Sequence, residues 1–293
     1  MGATEKAGQA AGHTGPDMRA QLHGMWAAVA PAWGEHAEYA DARGVELARR
    51  MIELTDPRPG ERALELACGP GGLGLAAAGR LGADVEVVLS DVVAEMASIA
   101  AARARALGLR NVSTRVLDVE QIDEPDASYD VVLCREGLMF ATDPARAASE
   151  IHRVLRPGGR TAIAVWGPRE RNPWLGLVLD AVSAQIGRPV PPPGIPGPFS
   201  LADANQLAKL LKDAGLAEVA VSEVSVPAKA GSFDEWWERT SALAGPLTKI
   251  LSSLPGAATD AISGRLRETT EPYRVPTGFE FPGVSLVANA QRR

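Results

Sequence analysis

The chain is 293 residues long, 46% hydrophobic and 23% charged, which is apolar material for one sizeable core with a smaller attachment and excludes fibres, disulfide miniproteins and wholly disordered chains. Its 30 Lys and Arg against 36 Asp and Glu leave a formal net charge of −6, a field that repels nucleic acid and anionic membrane faces. Two cysteines, Cys68 and Cys134, are too few for a disulfide framework or a cysteine-built metal site, so no metal and a reducing, cytoplasmic setting are expected.

Residues 1–16 are small, polar and glycine-rich, a composition that predicts a disordered tail without an apolar leader. From Asp17 the stripe Met18, Leu22, Met25, Trp26, Val29 and Trp33 predicts a helix interrupted at Pro31, and a second helix is expected over 41–54. This 17–59 segment precedes the first strand and is free to cover a cleft. No stretch reaches 18 uninterrupted apolar residues, so membrane insertion is not expected.

From 60 to 167 the rhythm changes. Apolar runs at 62–67, 85–89, 112–117, 129–134 and 160–166 read as strands, and 72–81, 93–107 and 144–155 as helices. The alternation predicts an α/β fold with a mostly parallel sheet covered on both faces. Beyond it, Asn172 and Pro173 read as cap and first turn of a helix, 189–198 is a Pro/Gly segment, and a helix runs from about 200 to Gly215. Strands are expected at 219–226 and 279–290. The segments 168–198 and 227–277 interrupt the series and read as a lid or side wall within 168–293 rather than a separate domain.

The turn after the first strand carries Gly69, Gly71, Gly72 and Gly74 in the sequence ALELACGPGGLGL, where glycines let a ligand approach backbone N–H groups at a helix start. Gly69-x-Gly71-x-x-Gly74 matches a dinucleotide fingerprint, and Asp91 ends the next strand, where its carboxylate can accept both ribose hydroxyls. A tight turn with an ordinary solvent-facing Asp is the alternative. Glu65, inside the first strand, gains nothing from a pyrophosphate but suits a cationic amino-acid ligand, which favours S-adenosyl-L-methionine over NAD. Asp118, after the third strand, is placed to accept from an adenine amino group, an acidic loop residue with no ligand role being the alternative.

Taken together, ELACGPGG at 65–72, SDVVAEM at 90–96, LDVEQI at 117–122, YDVVLC at 129–134 and HRVLRPGG at 152–159 resemble the class I S-adenosylmethionine-dependent methyltransferases, nearest their ubiquinone/menaquinone-biosynthesis-like branch. The similarity is strong over 60–167 and weak out to 35 and 225. It implies a Rossmann-like, seven-stranded sheet ending in an antiparallel strand, here 279–290, with an added helical lid. It also implies that Gly69 and Gly71 pass the methionyl moiety, held with Glu65, that Asp91 grips the ribose, that Met96 packs near the adenine and that Asp118 and Val119 meet its edge. Ala67, Val92 and Cys134 complete the implied cofactor set, and Arg156-Pro157-Gly158-Gly159 is implied to be a structural turn before the fifth strand. Gly72 departs from the small polar residues often found there. The rim Cys134-Arg135-Glu136-Gly137 lacks the Asn/Asp-Pro-Pro-aromatic signature and the Pro-Cys nucleophile of nucleic-acid enzymes, so a nucleic-acid substrate is not expected.

Methyl displacement from sulfur needs alignment and water exclusion, with a general base optional. His23, His36, Tyr39 and Glu136 are the proton-handling candidates, though packed or surface roles suit both histidines; His13 and His152 read as non-catalytic. Six tryptophans in a chain with 5% aromatics suit an apolar acceptor pocket, with Trp33, Trp166 and Trp174 lining it and Arg135 orienting a carboxylate or phenolate; core packing accounts for at least half of the tryptophans equally well, and an exposed charge is the alternative for Arg135. Exposed tryptophans also suit a homodimer surface. The reading is methyl transfer to a small aromatic or polyketide-like acceptor of secondary metabolism, weighted toward oxygen. C-methylation of a quinone-like or phenolic ring, an NAD-dependent oxidoreductase and a non-catalytic binding scaffold are the alternatives. Calorimetric titration separates them: saturable binding of S-adenosylhomocysteine but not NADH, lost in Asp91→Ala, is the expected result.

Overall fold

Short runs of β-branched and aliphatic residues between helical periods form the framework. The computed structural model describes residues 15–293. Residues 1–14 of the expected tail, His13 among them, lie outside the described residues, whereas 15 and 16 already belong to the first helix.

In chain order the elements are α1 (Gly15–Glu35), α2 (Ala37–Thr55), β1 (Arg62–Leu66), α3 (Gly72–Leu81), β2 (Glu86–Asp91), α4 (Ala94–Ala106) and β3 (Val112–Val116). There follow β4 (Tyr129–Arg135), α5 (Pro144–Val154), β5 (Leu155–Trp166), α6 (Pro173–Ile186), α7 (Ala204–Asp213) and β6 (Ala217–Ser225). The chain continues as β7 (Ala228–Ala230), α8 (Phe233–Leu243), α9 (Gly245–Ser252), α10 (Gly256–Thr269), β8 (Arg274–Val275), β9 (Gly278–Phe281) and β10 (Val284–Gln291). Among the described residues no helix is long and apolar enough to cross a membrane.

The main sheet has seven strands in the order β3-β2-β1-β4-β5-β10-β6. It is parallel through β5, and β10 runs antiparallel to both its neighbours. Helices cover both faces. Leu47 and Met51 of α2, Leu73 and Ala77 of α3 and Ala100 of α4 pack on Val87, Val131 and Val287. On the other side Ala147 and Ile151 of α5 and Leu207 and Leu211 of α7 pack on Leu64, Val132, Ile163 and Leu286. The expected α/β architecture, including the antiparallel strand, is the one observed.

Three boundaries differ from the sequence reading. The expected strand 279–290 is two strands, because Pro282 has no N–H to donate and a Cβ at Gly283 would stand 2.0 Å from the Val226 carbonyl oxygen, so the chain bends there. Phe279 and Phe281 therefore leave the main sheet and pair in a second, three-stranded sheet of order β7-β9-β8. The Arg156–Gly159 stretch lies inside β5 as an irregularity, since Tyr129 faces Leu155 while Val131 faces Arg160, with Gly158 at φ 79°. Finally, α1 runs through Pro31, and α2 begins at Ala37 instead of 41, the chain reversing at His36.

The added segments share a third core: Trp174, Val178 and Val182 of α6 meet Phe233 and Trp236 of α8, Ile262 and Leu266 of α10, and Phe279 and Phe281 of β9. The Trp236 and Phe281 rings stack with centroids 4.9 Å apart.

This attachment is tied to the sheet at Asn172, whose side chain does not cap α6. Only 1% exposed, it donates to the Gly167, Pro168 and Val284 carbonyls at 3.2, 3.1 and 3.0 Å. Its oxygen accepts from the Val284 N–H at 3.1 Å and the Trp174 indole at 3.3 Å. Asn172→Ala strands these buried groups and is expected to cost about 2–4 kcal/mol, read as a shifted denaturant midpoint at unchanged slope.

Candidate active site

Helices α3 and α5 leave neighbouring strands β1 and β4 for opposite faces of the sheet, which opens a crevice at the strands' C-terminal ends. Both strands end in left-handed backbone, at Ala67 (φ 50°) and Glu136 (φ 58°). A Cβ at Gly137 would stand 2.3 Å from the Ala67 Cβ, so only glycine lets the two turns come this close. Above them lies a cavity of about 230 Å³.

One half of the cavity is acidic and slot-shaped. Gly69 (φ 53°) faces it with open space where a side chain would be. Its N–H donates to Asp91 Oδ2 at 2.9 Å, and Asp91 Oδ1 accepts from the Val93 N–H at 3.0 Å. Burial holds the Asp91 carboxyl above its ordinary range, against the pull of the Val93, Gly69 and Val92 N–H groups. Ala67, Val92, Met96, Leu117, Val119 and Phe140 complete the wall, with Asp118 at its end. A carboxylate beside an open glycine and an apolar slot can receive the hydroxyls and base of a nucleoside.

Helix α1 is pinned over this half by charge. Asp118 lies 3.8 Å from His23 Nε2 and 3.7 Å from Arg19 Nε, and it accepts the Glu120 N–H at 2.8 Å. Buried Glu120 takes the Arg19 guanidinium, the Thr142 N–H at 2.6 Å and the Thr142 hydroxyl at 2.8 Å. His23 thus stands at the slot's end, paired with Asp118.

Four of the residues singled out from sequence do not line the cavity: Glu65, Gly71, Cys134 and His36. Glu65 points back into the helix start, where its Oε2 accepts the Gly74 N–H at 2.8 Å. Gly71 (φ 89°) is a packing glycine, since a Cβ there would meet Ala100 at 3.0 Å and Leu89 at 3.1 Å. The buried Cys134 thiol, pushed up to about 12 by desolvation, faces the core. His36 sits at the reversal between α1 and α2.

The other half is aromatic and basic. Trp33 donates its indole N–H to the Leu243 carbonyl at 3.0 Å, Trp166 meets Trp174 edge-on at 4.9 Å, and the Arg43 guanidinium lies 4.2 Å over Trp174. Tyr39 is covered by the Arg239 guanidinium at 3.5 Å. Of the six tryptophans, 26, 33, 166 and 174 line the cavity, while Trp236 belongs to the third core and Trp237 packs against it. Glu136 lies between the halves, its Oε1 accepting the Ser285 hydroxyl at 2.9 Å. Arg135 lies over the glycine-rich turn: side chains at Gly44 and Gly72 would stand 2.5 and 3.1 Å from its guanidinium nitrogens. Beside Gly72 the Asp41 carboxylate fills the space a side chain would take, 1.9 Å from the Cβ position.

Sequence reasoning missed Arg19, Glu120, Phe140, Arg43 and Arg239 as cavity residues. Glu120, two residues beyond Asp118, was the one with a readable position; the others arrive from distant elements.

The comparisons with known proteins agree with this geometry. Residues 63–159 match the family described as "Methyltransferase domain". The nocamycin O-methyltransferase of Saccharothrix syringae is 33% identical over 194 residues, spanning 61% of this chain and 69% of that one. The ubiquinone/menaquinone biosynthesis C-methyltransferase UbiE of Hydrogenovibrio crunogenus is 37% identical over 139 residues, 47% of this chain and 54% of that one. The chain therefore spans about half the length of that second relative. Among solved structures, the (4+2)-cyclase SpnF superposes with a TM-score of 0.60 at 20% identity over 93% of this chain and 95% of that one.

Burial pushes the Glu65 carboxyl up to about 7, opposed by Arg135 and the Gly74 N–H. The folded state therefore holds this proton more tightly than the unfolded state, so the stability contributed by neutral Glu65 is complete in acid and is lost as pH rises toward and past 7. Glu65→Gln keeps the acceptor for Gly74 and is expected to flatten that decline, read by denaturant unfolding at about pH 5 and about pH 8.

Proposed function

Because the chain belongs to the class I S-adenosylmethionine-dependent methyltransferases, we propose that it methylates an oxygen of a small, planar, largely apolar acceptor of the aromatic or polyketide-like class. S-adenosylmethionine is the methyl donor of this enzyme, supplying when bound a methyl group activated by the sulfonium charge. The observation that carries the acceptor reading is one cavity whose lining joins the acids Asp91, Asp118 and Glu120 to the edge-packed rings of Trp166 and Trp174, with Trp33 packed beside Val92 and Met96. The nocamycin relative is named as an O-methyltransferase, which supports oxygen.

In this reading Asp91 accepts the ribose hydroxyls and Gly69 leaves room for the chain that joins ribose to the methionyl group. Met96, Val92, Val119 and Phe140 enclose the adenine, with Asp118 at its edge. Glu65 acts on the turn from beneath, by fixing the Gly74 N–H, and Gly71 and Cys134 act through packing. Arg19 and His23, gripping Asp118 and Glu120, hold α1 across the slot and keep water out. With His36 outside the cavity, His23, Tyr39 and Glu136 are the side chains placed to handle a proton. An acceptor oxygen that is already acidic needs neither.

Carbon transfer to a quinone-like ring is the second reading, favoured by the similarity to the UbiE C-methyltransferase. The family membership sets aside the oxidoreductase and the non-catalytic scaffold. Incubation with methyl-labelled donor and a panel of phenolic, quinone and carboxylic acceptors tests the proposal, the methyl resonance of the product separating O–CH3 from C–CH3. Trp166→Ala is expected to raise KM for the acceptor about tenfold or more with unchanged affinity for S-adenosylhomocysteine. Product carrying only C–CH3 would replace the oxygen reading, and no labelled product from any class would sink both.

A further inference from the structure

Four arginines line the cavity, and among the described residues they divide sharply. Arg19 is paired with Asp118 and Glu120, and Arg239 with Glu235. Arg43 and Arg135 have no carboxylate within ion-pair distance. The inner side of Arg135 faces the Asp41 carboxylate across Gly72, an acid of the cofactor half whose charge partly balances it. Arg43 stands at the aromatic end. Among the described residues its one hydrogen bond is a long one, Nη2 to the Val226 carbonyl at 3.4 Å, and its Nε is enclosed by protein with no partner.

The Arg43 guanidinium is held in place by the rings beneath it: it lies over Trp174, which Trp166 meets edge-on. The wall of the acceptor end thus offers one cation without a carboxylate partner. Leaving a half-buried guanidinium without a counter-charge is costly, and stacking on Trp174 restrains it from turning out to water. A ligand bearing an anionic oxygen beside a flat apolar body would supply that counter-charge.

We propose that Arg43 is the recognition point for an anionic oxygen function, a carboxylate or an acidic enol, on the planar acceptor. The inference rests on the acceptor end assigned under the proposed function and adds the charge of the molecule bound there. It also identifies Arg43 as a specificity-determining residue that the cofactor does not require.

The test is calorimetric titration of the full chain saturated with S-adenosylhomocysteine, using two acid and amide pairs: naphthoate against naphthamide, and anthraquinone carboxylate against its carboxamide. Wild type is expected to prefer each acid about tenfold or more. Arg43→Met is expected to bring that preference near unity with unchanged affinity for S-adenosylhomocysteine, and Arg43→Lys to restore part of it. Equal binding of acid and amide by wild type, a preference that survives in Arg43→Met, or no binding of either acid at millimolar concentration overturns the assignment. Equal binding by wild type overturns the assignment even where a variant fails to fold, and the variants separate Arg43 from Arg135. Labelled methyl transfer, run in parallel, is a separate readout. Transfer to neutral acceptors with no acid preference leaves the methyltransferase reading standing and removes this one, and acid preference without any transfer does the reverse.

Discussion

The site depends on how closely β1 and β4 approach at their C-terminal ends. Gly137 permits the contact with Ala67, and the left-handed turns at Ala67 and Glu136 then send the two chains apart, one into the glycine-rich turn and α3, the other toward α5. Because those helices cover opposite faces, nothing fills the gap above the strands, and the cavity is the space left by the topology. Strain at the two non-glycine turns is held by the flanking ladders, in which Leu64 faces Val132 and Cys134 faces Ile163.

Charge divides this space into two environments. Asp91, Asp118 and Glu120 gather at the β2 and β3 end, whereas Arg43 and the paired Tyr39 and Arg239 gather under the added helices. α1 spans both, with Arg19 and His23 at one end and Trp33, bonded to the last residue of α8, at the other. A cationic, nucleoside-bearing ligand and a flat apolar ligand would thus be sorted by electrostatics before any close contact formed. The helix that separates them from solvent is common to both.

What was legible in the sequence follows from what periodicity and spacing can report. Continuous apolar runs marked β1, β2 and β4 because both faces of a parallel strand are buried, and the glycines after β1 marked the turn because few other residues fit there. Asp91 was found by its distance from that turn. The direction in which Glu65 points was not legible, since a strand residue's face is set by which helix closes on it, here α3 through the Gly74 N–H. Asn172 was read as a cap from its place before Pro173, yet its partners include Val284, 112 residues away. Arg19 and Glu120 are 101 residues apart, and Arg43 of α2 meets Trp174 of α6 across the fold. Tertiary partners of polar side chains lie beyond local pattern, and in this chain they make up most of the acceptor end.

The position of β10 has a consequence for how the sheet is assembled. β6 lies at the sheet's edge with β10 as its only neighbour, and β10 is the last of the strands in chain order. Until β10 enters between β5 and β6, β6 and α7 have no ladder to join, and the carbonyl and N–H of Val284 that Asn172 needs are absent. Ser285, the partner of Glu136, arrives on the same strand. β10 therefore joins the sheet through pairings of long sequence separation, which carry a loop-closure cost, and the tie of Asn172 to Val284 and the contact of Ser285 with Glu136 both hang on them.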